Sequence, residues 1–337
     1  MTPDYHDHDT ASQETGVHYS FAGQTLSSQD TERLKGANVN KEADIQSLTS
    51  IMARFTAYIG KRLPEDVKAK LAELRARETR PLARQIYDCM RDNQEAADKL
   101  DRPSCQDTGV IQYFIEAGAN FPLLGEMEGI LHEATANATR MAPLRHNAVE
   151  TFDEKNTGTN TGTQVPWLDW SIVPQQDSCT IDVYMAGGGC TLPGSAKVLM
   201  PGQGYEGVAE FVMDVITERG VNACPPLLVG VGVSTSVETA ARLSKLALLR
   251  PIGSRSKNPR AALMEELLEQ GLNEIGIGPQ GLMGNSSVMG VHIESSARHP
   301  STIGVAVNTG CWSHRRGKIR IHADLSYEIL SHEGVTL

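Results

Sequence analysis

The pattern order between residues 204 and 249 most constrains what this chain can fold into. "GYEGVAEFVMDVITERG" carries apolar residues at helical spacing, "PPLLVGVGV" is a continuous apolar run of strand length, and "SVETAARLSKLALL" returns to helical spacing. A strand apolar along its whole length belongs in the interior of a layered α/β structure, with both faces covered.

The same mixture extends through most of the chain. Helical spacing marks residues 45–63, where Ile45, Leu48, Ile51, Met52 and Phe55 form one stripe, then 64–78 behind Pro64, 82–100, 127–141 and 258–276. Strand patterns mark residues 110–118, 179–186, 288–295, 302–308 and 318–326. The expected fold class is mixed α/β, with helices around a small mixed sheet whose strand order the sequence leaves open. Residues 1–44 are polar and aperiodic and read as a disordered N-terminal extension, in which His6 and His8 alternate with aspartates as no more than weak metal donors. Residues 45–337 hold no convincing linker and read as one domain. Between residues 145 and 167 lies a long Asn-, Thr- and Gly-rich loop, a length that in a compact domain is usually functional or disordered.

A net charge of -10 argues against a nucleic-acid surface or an anionic membrane as partner. No run approaches the length needed to span a bilayer, and the N-terminal residues resemble neither a signal nor a transit peptide, so the expected location is cytoplasmic. Six cysteines scattered over 337 residues do not read as a disulfide framework. Cys89, inside a helical pattern, reads as a core thiol.

Three cysteines share a setting: Cys105 in "PSCQDTG", Cys224 in "NACPP" and Cys311 in "NTGCWSH" each lie beside proline or glycine at the end of an element. Three converging thiolates could hold zinc or three irons of a cubane cluster, but their separations match no local metal-binding spacing, and three unrelated buried cysteines remain the simpler reading. The glycines of "MAGGGC" lack the G-x-G-x-x-G and Walker spacings, and suit close approach of backbone to an anion or a sharp turn; Cys190 at their end stays ambiguous. Asn285, Ser286 and Ser287 offer donors from a second glycine-rich loop. Arg145 could grip a carboxylate or form a surface ion pair, and His299 could move a proton or do nothing of the kind. His314, Arg315 and Arg316 read as solvated charge.

Taken together, "RPSCQDTG", "APLRHNAVETFDEKNTG", "VYMAGGGCTLPG", "VNACPPLLVGVGVSTSVETA", "LRPIGSR", "GIGPQGLMGNSSVMGVHIE" and "ARHPSTIGVAVNTGCWSHRRG" resemble the iron-sulfur hydro-lyases of the class I fumarase type, in one order across residues 45–337. The resemblance implies the N-terminal, alpha-subunit domain of that family, and a [4Fe-4S] cluster held by Cys105, Cys224 and Cys311. It further implies Gln106, Arg145 and Gly188 as substrate-binding positions and Asp107 and His299 as catalytic ones. The family's second domain has no counterpart before Leu337, so the resemblance implies a separate beta subunit and an alpha2-beta2 heteromer. The implied activity is dehydration of a small dicarboxylate, L(+)-tartrate to oxaloacetate. A two-subunit fumarase acting on fumarate and L-malate is the alternative within enzymes, and a non-catalytic metal- or cluster-binding interaction protein the alternative outside them.

Overall fold

The computed structural model describes residues 28–337, with side chains from residue 40 onward. Three helices come first: α1 (Ser28–Lys61), α2 (Glu65–Arg77) and α3 (Pro81–Leu100). Leu48, Ile51, Met52, Phe55 and Ile59 make one buried stripe along α1. Extended Pro64 and the acidic pair Glu65 and Asp66 open α2, where negative side chains favour a helix start. A left-handed Asp101, whose N–H turns back to Ala97 and Asp98 carbonyls, closes α3.

The chain continues as β1 (Val110–Gly118), α4 (Met127–Met141), the short ribbon β2 (Val149–Glu150) and β3 (Lys155–Asn156), β4 (Trp167–Val173) and β5 (Cys179–Ala186). After the single turn α5 (Gly188–Thr191) come β6 (Ser195–Leu199), α6 (Gly204–Arg219), β7 (Leu227–Ser234), α7 (Val237–Leu249) and α8 (Pro259–Glu274). The strands β8 (Val288–Ser295), β9 (Ile303–Gly310), β10 (Arg315–Ile321) and β11 (Tyr327–Ile329) complete it.

Two mixed sheets result, in the orders β11-β10-β5-β1-β4 and β6-β9-β7-β8. Alternation along β5 divides its side chains between two cores. Ile181, Val183 and Met185 pack with α1 and α4, while Tyr184 and Ala186 join the core that surrounds β7. That second core is closed by α2, α6 and α8. The apolar run that opened the sequence reading is β7, central in its sheet, parallel to β8 and antiparallel to β9. Its two glycines have a packing reason: a Cβ at Gly230 or Gly232 would run into the backbone of α7 at Ser244 or Ala240.

Ile45–Leu337 forms one unit without an internal boundary. The expected mixed α/β class is what the structure has, in two sheets rather than one. Helix α1 begins at Ser28, within the segment expected to be disordered, although the compact unit itself begins at Ile45; His6 and His8 lie outside the described residues. Cys89 is exposed on α3, because the buried face of that helix carries Ala83, Tyr87, Met90, Gln94 and Ala97 instead. His314, Arg315 and Arg316, expected in solvent, are buried. Among the described residues, no helix is long and apolar enough to cross a membrane.

Candidate active site

The Cys105–Gln106–Asp107 trio stands where the chain passes from α3 into β1. Asp107 accepts hydrogen bonds from three directions. Its Oδ1 takes the Gly109 N–H and the Asn147 side-chain amide, both at 3.0 Å, and its Oδ2 takes the Gly188 N–H at 2.8 Å. One carboxylate thus fastens the Cys105 loop, the Arg145 segment and the glycine turn together. The glycines make this possible: a Cβ on Gly187 would sit 3.0 Å from Asp107 Oδ2, and one on Gly109, at φ +89°, would sit 2.8 Å from the Ala186 backbone.

The remaining cysteine loops are tied to the same place. Register pairs Leu228 with Gly310, so Cys224, just before β7, and Cys311, just after β9, lie at one end of the four-stranded sheet. The Trp312 N–H donates to the Cys224 carbonyl at 3.2 Å, and the Ser313 and Ser104 hydroxyls meet at 3.2 Å beside Cys105. Thr309 donates to the Cys190 carbonyl at 2.6 Å, and the Gly189 backbone packs against the Asn222 carbonyl. Cys224 itself is left-handed at φ +53°, a conformation that costs a non-glycine residue about 1 kcal/mol and that recurs at functional sites.

Four thiols therefore feel one another. Partial burial, then the nearness of Cys105, Cys190 and Asp107, pushes the Cys224 thiol up. The nearness of the Cys190 and Cys311 thiols holds Cys190 down and raises Cys311, with Lys245 and Arg315 adding positive charge beside Cys190. The sequence left Cys190 ambiguous; it sits among the other three. Among the described residues, no three His, Cys, Asp or Glu side chains stand close enough to hold a single metal ion.

Arg145 is exposed, and none of the described hydrogen bonds or ion pairs engages its guanidinium. Its backbone is fixed on both sides: its N–H donates to Thr108 Oγ1 at 3.0 Å, and its carbonyl accepts from Asn160 Nδ2 at 3.0 Å. A held backbone with a free guanidinium is what anion capture needs. Gln106 is exposed beside Cys105, its Oε1 at 3.8 Å from the Cys105 sulfur.

His299 is not part of this group. Its N–H donates to Thr235 Oγ1, immediately beyond the C-terminal end of β7, whereas Cys224 precedes the N-terminal end. The eight residues of β7 separate those ends by roughly 23 Å. The structure therefore does not bring His299 beside the thiols of its own chain. Sequence reading also missed Asn147, Asn160, Tyr184 and Lys245, and took Arg315 for solvated charge. Asn147, two residues after Arg145, carried the clearest available signal.

The structure thus draws the cysteine loops, the glycine turn and the Arg145 segment together around Asp107 on two mixed sheets. This chain belongs to the fumarate hydratase (Fumerase) family, which matches residues 49–320, and so is an enzyme of the hydro-lyase class. It is 63% identical over 293 residues to the L(+)-tartrate dehydratase subunit alpha of Escherichia coli (strain UTI89 / UPEC), covering 87% of this chain and 97% of that one. To the subunit of the same name from Escherichia coli (strain K12) it is 62% identical, with the same coverage. To a putative L(+)-tartrate dehydratase subunit alpha of Methanocaldococcus jannaschii it is 33% identical over 265 residues, 78% of this chain and 93% of that one.

Proposed function

We propose that this chain is the alpha subunit of an L(+)-tartrate dehydratase, converting L(+)-tartrate to oxaloacetate and water with a separate beta subunit, in an alpha2-beta2 assembly. The observation that carries the reading is the cross-bonding of the Cys105, Gly188, Cys224 and Cys311 loops at one end of the two sheets. The high identity to subunits bearing that name supports the substrate and the need for a partner. Six free cysteines and the absence of a spanning helix among the described residues support a cytoplasmic, reducing setting.

Cys105, Cys224 and Cys311 would hold a [4Fe-4S] cluster. The donor set fits: Cys105, Cys224 and Cys311 are three thiols on loops gathered at one end of the four-stranded sheet, the ligand type that binds three irons of such a cluster. The buried Arg315 guanidinium nearby, with two nitrogens lacking partners, suits an anionic group. When bound, the cluster supplies an iron with an open position, a Lewis acid toward a substrate hydroxyl.

The chain's own residues do the rest of what this half can do. Arg145 binds one carboxylate through its free fork, and Gln106 offers an amide beside the same loop. The Gly188 turn lines the pocket with backbone and leaves room for the substrate. Asp107 Oδ1 has both lone pairs engaged, but Oδ2 accepts one hydrogen bond and keeps one lone pair, so Oδ2 is the atom at which a proton on the departing oxygen is held or moved. The proton on the neighbouring carbon leaves to a base of the beta subunit, and the enol product becomes oxaloacetate. His299 receives no step.

Oxygen-free co-expression with a beta-type chain, metal and sulfide analysis, and parallel assays on L(+)-tartrate and fumarate test the proposal. Bound iron and sulfide with preferential oxaloacetate formation from tartrate is the expected result. Preferential turnover of fumarate would replace the assignment with a two-subunit fumarase, and zinc without sulfide or turnover would leave only a metal-binding interaction protein.

A further inference from the structure

Among the described residues, the Arg315 charge beside the thiols has no counterpart. Arg315, at the start of β10, is 1% exposed and heads the largest fully buried side chains. Its Nη2 donates to the Asp107 carbonyl at 2.7 Å, while Nε and Nη1 are buried without an acceptor. Its neighbour Arg316 is matched by Asp66, but among the described residues no carboxylate pairs with Arg315. The Cys190 and Cys311 thiols lie within reach of its field, and so does the Tyr184 hydroxyl, also buried and without a partner. A desolvated guanidinium with spare donors is strongly unfavourable unless an anion meets it. Sulfide and thiolate sulfurs of a bound cluster are such acceptors, and hydrogen bonds to them tune its potential.

Resting on the proposal that Cys105, Cys224 and Cys311 hold an iron-sulfur cluster, we infer that Arg315 is a positioning residue for it: one nitrogen fixes the Cys105 loop through the Asp107 carbonyl, and the other two meet the anionic group that the thiols hold. Two consequences separate this role from simple packing. The reduced cluster carries one more negative charge, so removing the guanidinium shifts the midpoint potential negative. A lysine restores the charge but has one compact donor head, so it preserves the potential better than it preserves retention.

The test uses full-length wild-type chain, Arg315→Gln and Arg315→Lys, each with the beta-type partner and reconstituted without oxygen from ferrous iron and sulfide. Iron and sulfide content, the rate of cluster loss to a chelator, and the midpoint potential followed by electron paramagnetic resonance are measured, with circular dichroism of the metal-free chains as the folding check. For R315Q, cluster loss is expected about tenfold faster, the scale of a lost charge-assisted hydrogen bond, together with a negative shift in potential. R315K should keep a potential near wild type and still lose the cluster several-fold faster. A folded R315Q with wild-type retention and potential overturns the inference. If R315Q does not fold, R315K decides, and wild-type retention there overturns it equally. A wild-type chain that takes up no cluster overturns the functional reading itself, a result distinct from both.

Discussion

Asn160 governs how Arg145 is presented. It is 2% exposed, and its amide works at both ends: Oδ1 accepts the Asn147 N–H at 2.6 Å, while Nδ2 donates to Thr139 Oγ1 at 3.1 Å and to the Arg145 carbonyl at 3.0 Å. Its backbone is left-handed at φ +58°, which asparagine tolerates better than most residues. Asn160→Ala strands buried backbone groups, at about 2–3 kcal/mol of stability. On the role proposed for Arg145, it should also raise the Michaelis constant for the dicarboxylate more than it lowers turnover, because the arginine is displaced rather than removed. Asn160→Gly should recover about 1 kcal/mol of the loss by relieving the left-handed strain. Urea unfolding of the three chains together with steady-state kinetics checks both parts, and an alanine variant with unchanged unfolding would refute the bracing role. At this scale neighbouring proline and glycine and the family resemblance marked Cys105, Cys224, Cys311, Gln106, Asp107, Arg145 and Gly188, whose loops the structure ties together. Asn160 and Arg315 were not legible. An asparagine in a polar loop and an arginine in "SHRRG" look solvated until tertiary structure buries them.

Helix α7 lies on β7 with no side chain between them at two points, and that contact sets the spacing of the whole second layer. A methyl group at Gly232 would meet the Ala240 carbonyl, with the Ser244 nitrogen at 2.7 Å; these are backbone atoms that cannot rotate away. Gly232→Ala must therefore lift α7, for a loss of about 1–3 kcal/mol or more. It also moves Lys245, which stands 5.3 Å over the Tyr184 ring close to Cys190. Gly202→Ala, where nothing lies within 4 Å, serves as the control and should be neutral. Equal thermal midpoints for the two variants would refute the close-packing account. The helices and the buried strands were readable because their burial follows period 3.6 or an unbroken apolar run. Strand β4 was not, since it is an edge strand whose exposed Trp167, Trp170 and Ile172 give no alternation. Likewise β6 and β11 are short and partly exposed, with too few residues to establish a period.

Burying two layers against one another also buries histidines, and this gives the whole molecule a pH dependence with a definite sign. His292 on β8 is 0% exposed, with its ring 3.1 Å from the Ala247 carbonyl and its Nε2 unpartnered. Burial first, then the charges of Arg250, Arg316 and Arg255, push it down to about 3. His332 is pushed down to about 4, mainly by burial. Unfolding returns such groups to about 6.5, so below that pH the unfolded chain binds protons that the folded chain refuses. Stability is therefore full above about pH 7 and declines as pH falls from 6.5 toward the folded values, by up to about 1.4 kcal/mol per pH unit for each such imidazole. Asp182, raised by burial despite Lys318 beside it, acts in the opposite sense. A comparison with a single variant isolates the histidine. His292→Gln keeps a donor for the Ala247 carbonyl but cannot titrate, so between pH 6.5 and 5 its urea-unfolding free energy should fall less steeply than that of the wild-type metal-free chain, by close to one proton's worth of slope. Parallel slopes would mean that the ring takes up its proton while still folded, and that the seam between α7 and β8 is open to water.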